Sequence, residues 1–249
     1  MEQMTEGIPQ KERYEIAGLK VVMTLYYNRT RNQAKKYLAK SSWKEEEAEI
    51  EISLEHSFYE EMREQSAANL PMQSIEYIYT GELFHWLIIK KQGCMLHSSA
   101  VMVDDYVYLF SADSGTGKST HTSLWKEHFG NRAVIVNDDK PVLRFTDDAW
   151  YVYGTPWSGK TDLNENVRGK LGAIVFLERS KENHIREIDV AEAIPLYMKQ
   201  TIHQSGGVEQ MDRILDNLEK ILTSTPLYRM GCDMSDEAVV TAYEKIRRI

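Results

Sequence analysis

Cysteine is scarce in this chain. Cys94 and Cys232 are the only two in 249 residues, and their wide separation excludes a disulfide framework or a zinc knuckle. Both are read as reduced thiols. Basic side chains are in deficit, 30 against 38 acidic ones for a formal charge of −8. That is opposite in sign to the field of a general nucleic-acid binder, so nucleic acid is not an expected partner. No run approaches the ~18 apolar residues that cross a bilayer, and the opening MEQMTEGIPQKERYEI lacks the apolar core of an export signal. No membrane association and a cytoplasmic location are therefore expected. Internal repeats and low-complexity linkers are missing too, and histidines 56, 85, 128, 184 and 203 show no metal-ligand spacing. What these absences leave is a compact enzyme, one large domain or two small ones, with a core that stands without staples.

The patterning divides the chain into a small N-terminal α+β region, residues 1–93, and a nucleotide-binding region, residues 94–249. Residues 1–13 read as a loose tail, YEIAGLKVVM (14–23) and EAEIEISLE (47–55) as strands, SIEYIY (74–79) as another, and residues 81–93 as a short helix capped by Gly93. From Cys94 onward CMLHSSAVMV, an Asp104-Asp105 turn and YVYLFS form a hairpin. PVLRF and AWYVY flank a second turn at Asp147-Asp148. The helix STHTSLWKEHF, the buried strand AVIV, the strands GAIVFLE, HIREI and LYRM, and three further helices complete an α/β chain with a mixed sheet.

Chemistry enters at residues 112–119, ADSGTGKS, which match the phosphate-loop pattern except that Ala112 replaces its first glycine. Gly115 and Gly117 let the backbone turn successive N–H groups of Ser114, Gly115, Thr116, Gly117 and Thr120 toward phosphate oxygens, aided by the following helix dipole. Lys118 would reach the outer phosphates and Ser119 would offer its hydroxyl to Mg²⁺. A second stretch, GTPWSGKT at 154–161, matches the same pattern in full. Pro156 has no N–H to give, and no helical periodicity follows, so this stretch is read as a loop that faces the substrate or merely connects strands.

The strand AVIV ends in Asn137-Asp138-Asp139, which places two carboxylates at a strand end, where ligand-binding loops gather. One carboxylate can hold Mg²⁺ and the other can take a proton from an attacking hydroxyl. His97 lies on the strand before the loop, where a structural role and a catalytic one both fit. His121, in the first turn after the loop, either approaches phosphates or faces solvent. Lys160 and Arg168 are candidate anchors for an anionic acceptor, and residues 154–166 with the Gly206-Gly207 turn are candidate acceptor loops.

The LHSSAV, SADSGTGKST and VNDD segments, in that order over residues 94–178, resemble the catalytic domain of HPr kinase/phosphorylase and its relatives, which share a phosphate-loop fold with the phosphoenolpyruvate carboxykinases. The TPWSGK segment is similar to that of shorter HPr-kinase-like proteins. The resemblance implies that Lys118 binds phosphates, that Ser119 and Asp139 hold Mg²⁺, that Asp138 is the base toward a serine hydroxyl, and that His97 belongs to the active site. It also implies a mixed sheet with antiparallel hairpins and leaves a homo-oligomer open. Thr120 stands where the bifunctional members have glutamate, and their EIRG signature has no counterpart, so phosphorolysis and recognition of HPr are not expected. The sequence thus points to an ATP- and Mg²⁺-dependent kinase acting on a hydroxyl of a peptide, protein or small molecule. The alternatives are a non-catalytic ATP-binding regulator and a plain NTP hydrolase.

Overall fold

The computed structural model describes residues 7–201 and 207–247. Two sheets carry the chain. The smaller joins β1 (Gln10–Ile16), β2 (Leu19–Leu25) and β3 (Ile50–Ser53), with β1 antiparallel and β3 parallel to β2. Helices α1 (Asn28–Ala34), α2 (His56–Gln65) and α3 (Met72–Ile89) accompany it.

The larger sheet comprises β4 (Gly93–Met95), β5 (Ser98–Val103), β6 (Tyr106–Ser111), β7 (Ala133–Asn137), β8 (Val142–Thr146), β9 (Ala149–Tyr153), β10 (Arg168–Arg179), β11 (His184–Glu187) and β12 (Leu227–Cys232). Its main path runs β4-β8-β9-β10-β6-β5-β7. The long β10 organises it. One edge pairs parallel with β6, while along the other edge residues 168–170 pair antiparallel with β9 and residues 174–179 pair parallel with β12. Its run Leu171–Leu177 is buried throughout, as expected of a strand covered on both faces. Helices α4 (Lys118–Phe129), α5 (Val190–Lys199), α6 (Gly207–Ser224) and α7 (Asp236–Ile246) follow in the chain.

Both expected hairpins form. Val103 faces Tyr106 and Thr146 faces Ala149, each across two aspartates with positive φ, the conformation that matches the strand twist in a two-residue turn.

Several expectations for the N-terminal region are corrected. Residues 10–13 belong to β1 rather than to a tail, and residues 14–23 are not one strand, because Ala17 and Gly18 turn with φ of 54° and 73° and send the chain back as β2. The strand expected at 74–79 and the helix expected at 81–93 are one helix, α3. Its Ile75, Tyr77, Phe84 and Ile88 are buried, and that burial overrides the strand preference of Ile and Tyr. Gly81 stays inside α3 because the Trp157 indole rests against it: an added Cβ would lie 2.8 Å from Trp157 Cδ1. Gly93 opens β4 instead of capping the helix, and the strand expected at 94–103 breaks at Leu96-His97 into β4 and β5.

The small sheet and α3 share a core with the site-bearing sheet, in which Tyr14, Met23 and Phe84 join Met95, Val142, Tyr153 and Trp157. Cys94 and Cys232 are both buried and unpaired, and burial pushes their thiols up to about 12 and about 11. Among the described residues no helix is long and apolar enough to cross a membrane.

Glu76 of α3 ties the N-terminal helices together. Buried completely, it accepts the backbone N–H groups of Tyr26 and Tyr27 at the start of α1, at 2.6 and 3.2 Å. Burial lifts its carboxyl from 4.5 to about 7, although those two donors favour the ionised form. Between these values the folded chain holds a proton that the unfolded chain has released. Its contribution is therefore whole below about 4.5 and is lost as pH rises through about 7, on the order of 3 kcal/mol at full effect. Buried His121, lowered from 6.5 to about 4, works the other way and loses stability as pH falls below 6.5, so the raw pH profile mixes the two. Urea unfolding of wild type and Glu76→Gln separates them: the advantage of wild type should be larger at pH 5 than at pH 7.5, and a pH-independent difference would contradict the assignment.

Candidate functional site

The phosphate-loop match lies between β6 and α4. Gly115 and Gly117 take φ of 78° and 120°, left-handed values open to glycine and strained for other residues. The loop thereby turns back on itself at the N-terminus of a twelve-residue helix, where backbone N–H groups are free to bind an anion. Lys118, only 7% exposed, curls over the loop and donates to the carbonyls of Ala112 and Asp113 at 2.9 and 3.4 Å. Burial holds its ammonium below the ordinary lysine value, opposed by Asp139, Asp138 and Asp113.

A cleft of about 520 Å³ opens here. On one wall stand Ser114, Gly115, Gly117, Lys118, Ser119 and Thr120; facing them are His97, Asp138 and Asp139, and residues 158–161 close a third side. Sequence positions far apart are thus brought together, including Lys160. Thr116 faces a separate hollow of about 280 Å³ behind the loop, beside Asp113, Arg179 and Arg229. Arg168 stands apart from the cleft: its guanidinium lies 4.7 Å from the Tyr151 ring centre and donates to the Tyr153 hydroxyl at 3.2 Å. It stands at the start of β10, beside β9. His121 does neither of the things expected of it. It is buried against Phe110 and accepts a hydrogen bond from Trp125 Nε1 at 3.0 Å. Of the Gly206-Gly207 turn, Gly206 lies outside the described residues.

The carboxylate pair is asymmetric. Asp138 is 5% exposed; its Oδ1 accepts from Ser99 Oγ, which also meets Thr122 Oγ1 at 2.7 Å, while its Oδ2 is buried with no partner. Asp139 is more open and lies 3.3 Å from His97 Nε2. His97 sits in the break between β4 and β5, fixed by its backbone N–H donating to the Gln200 carbonyl at 3.0 Å and by its own carbonyl accepting from Ser111 Oγ at 2.9 Å.

Gln200, just past α5, sets the orientation of that ring. Its amide nitrogen donates to Asp113 Oδ1 at 2.9 Å, and a carboxylate only accepts, so the amide oxygen is the atom facing His97 Nδ1 at 3.0 Å. Both ring nitrogens thus face acceptors, Nδ1 the Gln200 amide oxygen and Nε2 the Asp139 carboxylate at the cleft. Lys199 holds the second Asp113 oxygen at 2.6 Å.

The third wall, residues 158–161, and the stretch 154–157 that leads into it are clamped from below. Trp157 is buried, stacks on Phe84 with ring centres 4.8 Å apart and donates to Thr80 Oγ1 at 3.3 Å. Gly159 N–H donates to the Tyr77 hydroxyl at 2.9 Å, and burial pushes that phenol up to about 12. The second phosphate-loop match therefore serves as a wall of the cleft, with its tryptophan turned inward. Ser99, Thr122, Tyr77, Lys199 and Gln200 were not legible as site residues. Ser99, two positions after His97, and Thr122, next to His121, had neighbours that could have drawn attention to them.

No family model matches the chain, and no curated protein matches it. Among solved structures it is similar to the HPr(Ser) kinase/phosphatase from Coxiella burnetii, with a TM-score of 0.35 and 9% identity over 59% of this chain and 89% of that one. A likeness that distant fixes neither a fold family nor an activity.

The Gln200 oxygen draws a proton toward Nδ1 and Asp139 draws one toward Nε2. Long-range ¹H–¹⁵N spectra of His97 above pH 8 should therefore show a smaller share of Nδ1–H in Gln200→Leu than in the wild type, whereas the same share in both would contradict the Gln200 contact.

Proposed function

We propose that this chain is a phosphotransferase of the HPr-kinase-like type, with the phosphate-loop fold those kinases share with the phosphoenolpyruvate carboxykinases, moving the γ-phosphoryl group of ATP to a hydroxyl. The observation that carries this reading is the unpartnered Oδ2 of Asp138. A buried acceptor without a donor costs on the order of 1–3 kcal/mol, and an incoming hydroxyl would supply the missing donor. Ser99 and Thr122 fix the other oxygen, so the free one keeps its aim.

The loop N–H groups would bind the phosphates, and Lys118 would exchange its carbonyl partners for phosphate oxygens. As the acceptor oxygen bonds to the γ-phosphorus, the bond from that phosphorus to ADP breaks and Asp138 takes the hydroxyl proton. Ser119 and Asp139 would be the oxygen ligands for Mg²⁺. Among the described residues no three His, Cys, Asp or Glu side chains converge as a metal cage, a donor set that suits an ion held by one or two protein oxygens together with water and phosphate. When bound, that ion would neutralise charge on the phosphates. Most of the rate then comes from positioning and charge stabilisation, the ordinary division of labour in phosphoryl transfer. Two buried free thiols accord with a reducing compartment such as the cytoplasm.

The test is transfer from γ-labelled ATP with Mg²⁺, offering free serine, a pool of serine peptides, or no acceptor. Lys118→Ala should weaken ATP binding by about thirtyfold or more. Asp138→Asn should keep ATP affinity within about threefold while lowering transfer by about 10²–10⁴, the range of a general base. Full activity in Asp138→Asn would sink the base assignment. Tight ATP binding with no transfer would favour a regulator, and acceptor-independent turnover a hydrolase.

A further inference from the structure

The cleft has a second opening. Beyond the His97–Asp139 pair lies a hollow of about 310 Å³, lined by Met95, His97, Asp139, Lys140, Lys199 and Gln200. His97 and Asp139 line both spaces, so the two meet at that pair. None of residues 114–120 reaches the hollow, and its volume is at the small end for ligand sites. It therefore suits a molecule of a few carbons, or one side chain, rather than the nucleotide.

Among the described residues that line it, lysines outnumber carboxylates. Two lysines face one carboxylate there, whereas the whole chain carries −8. Lys140 is held by its backbone: its N–H donates to Asn137 Oδ1 at 2.7 Å and its carbonyl accepts from Thr155 Oγ1 at 2.9 Å. Among the described residues its ammonium pairs with no carboxylate. Lys199 has Asp113 at 2.6 Å, yet both side chains are more than half exposed, and such a pair contributes little. An incoming anion can compete for it.

We propose that this hollow binds the phosphoryl acceptor and that the acceptor is a carboxylate-bearing hydroxyl compound. The inference rests on the kinase reading above. Its carboxylate sits on Lys140 and Lys199, and its hydroxyl reaches past His97 into the phosphate cleft. There the hydroxyl oxygen forms its bond to the γ-phosphorus, the bond from phosphorus to ADP breaks, ADP leaves, and the proton passes to Asp138.

Two measurements test this separately from the kinase reading. Calorimetric titration of D-glycerate into the protein with ADP and Mg²⁺ should show binding that is weakened tenfold or more in Lys140→Ala and weakened in Lys199→Ala, with glycerol not binding. Equal affinity in wild type and Lys140→Ala, no glycerate binding, or glycerol binding as well as glycerate would overturn the anion site. In transfer from γ-labelled ATP, D-glycerate should be preferred to glycerol, and a serine peptide flanked by glutamates to one flanked by lysines. The better of the two anions tells whether the carboxylate comes from a small acid or a peptide, and preference for the neutral or basic partner would overturn the proposal. Tight nucleotide binding without transfer to anything would remove the kinase reading alone, and the glycerate titration would still decide whether the hollow is an anion site.

Discussion

The buried amide of Asn137 is the interaction on which the site depends. It closes β7 with no solvent exposure, and its two ends point to opposite sides of the cleft. The oxygen accepts the backbone N–H groups of Asp139 and Lys140 at 2.9 and 2.7 Å, which turns the chain sharply enough to present both aspartates. The nitrogen donates to the carbonyl and hydroxyl of Thr155 at 2.9 and 3.1 Å and lies 3.4 Å from the Trp157 carbonyl, which draws residues 154–161 against the same edge. Neither a carboxylate nor an aliphatic side chain of similar size could do both, because the position needs an acceptor and a donor on one planar group. A fully satisfied buried polar residue rigidifies its surroundings.

Around this tie the two sheets divide the labour. The large sheet supplies the phosphate loop and the carboxylates, and the small sheet with its helices supplies the floor under the third wall. Tyr77, Thr80 and Phe84 of α3 hold Gly159 and Trp157. Tyr37 donates to Asn164 Oδ1 at 3.0 Å, and Lys36 reaches the Asn164 carbonyl at 2.6 Å. The N-terminal region carries no recognisable chemical motif, yet it sets where Lys160 and its neighbours stand. On the far side Gln200, just past α5, joins Asp113 of the loop to His97, and Lys199 holds the other Asp113 oxygen. An anion entering the loop and one entering the lysine hollow would therefore meet the same hydrogen-bonded chain from opposite ends.

The sequence was most legible where local chemistry decides the conformation. The two Asp-Asp turns formed as read and Gly115 and Gly117 take positive φ, while the strand before Asn137 formed with Val134 and Ile135 only half-buried. The N-terminal third was misread because its signals conflict. Ala17-Gly18 makes a turn inside an apolar run, and α3 contains residues of strand preference that are buried in a core built with residues distant in sequence, Trp157 among them. His121 was misjudged for a related reason: nothing nearby in sequence shows that Phe110 and Trp125 enclose it. Gln200 was invisible, since its importance lies in two partners, His97 and Asp113, that only the fold places beside it.

If the phosphate loop and the wall that Asn137 draws against the carboxylates form one phosphate site, a nucleotide should protect both at once. Amide hydrogen exchange with and without Mg²⁺-ATP measures this directly. The account predicts slower exchange at residues 114–120 and, together with it, at residues 158–161, whereas protection confined to the loop, or none at either segment, would contradict it.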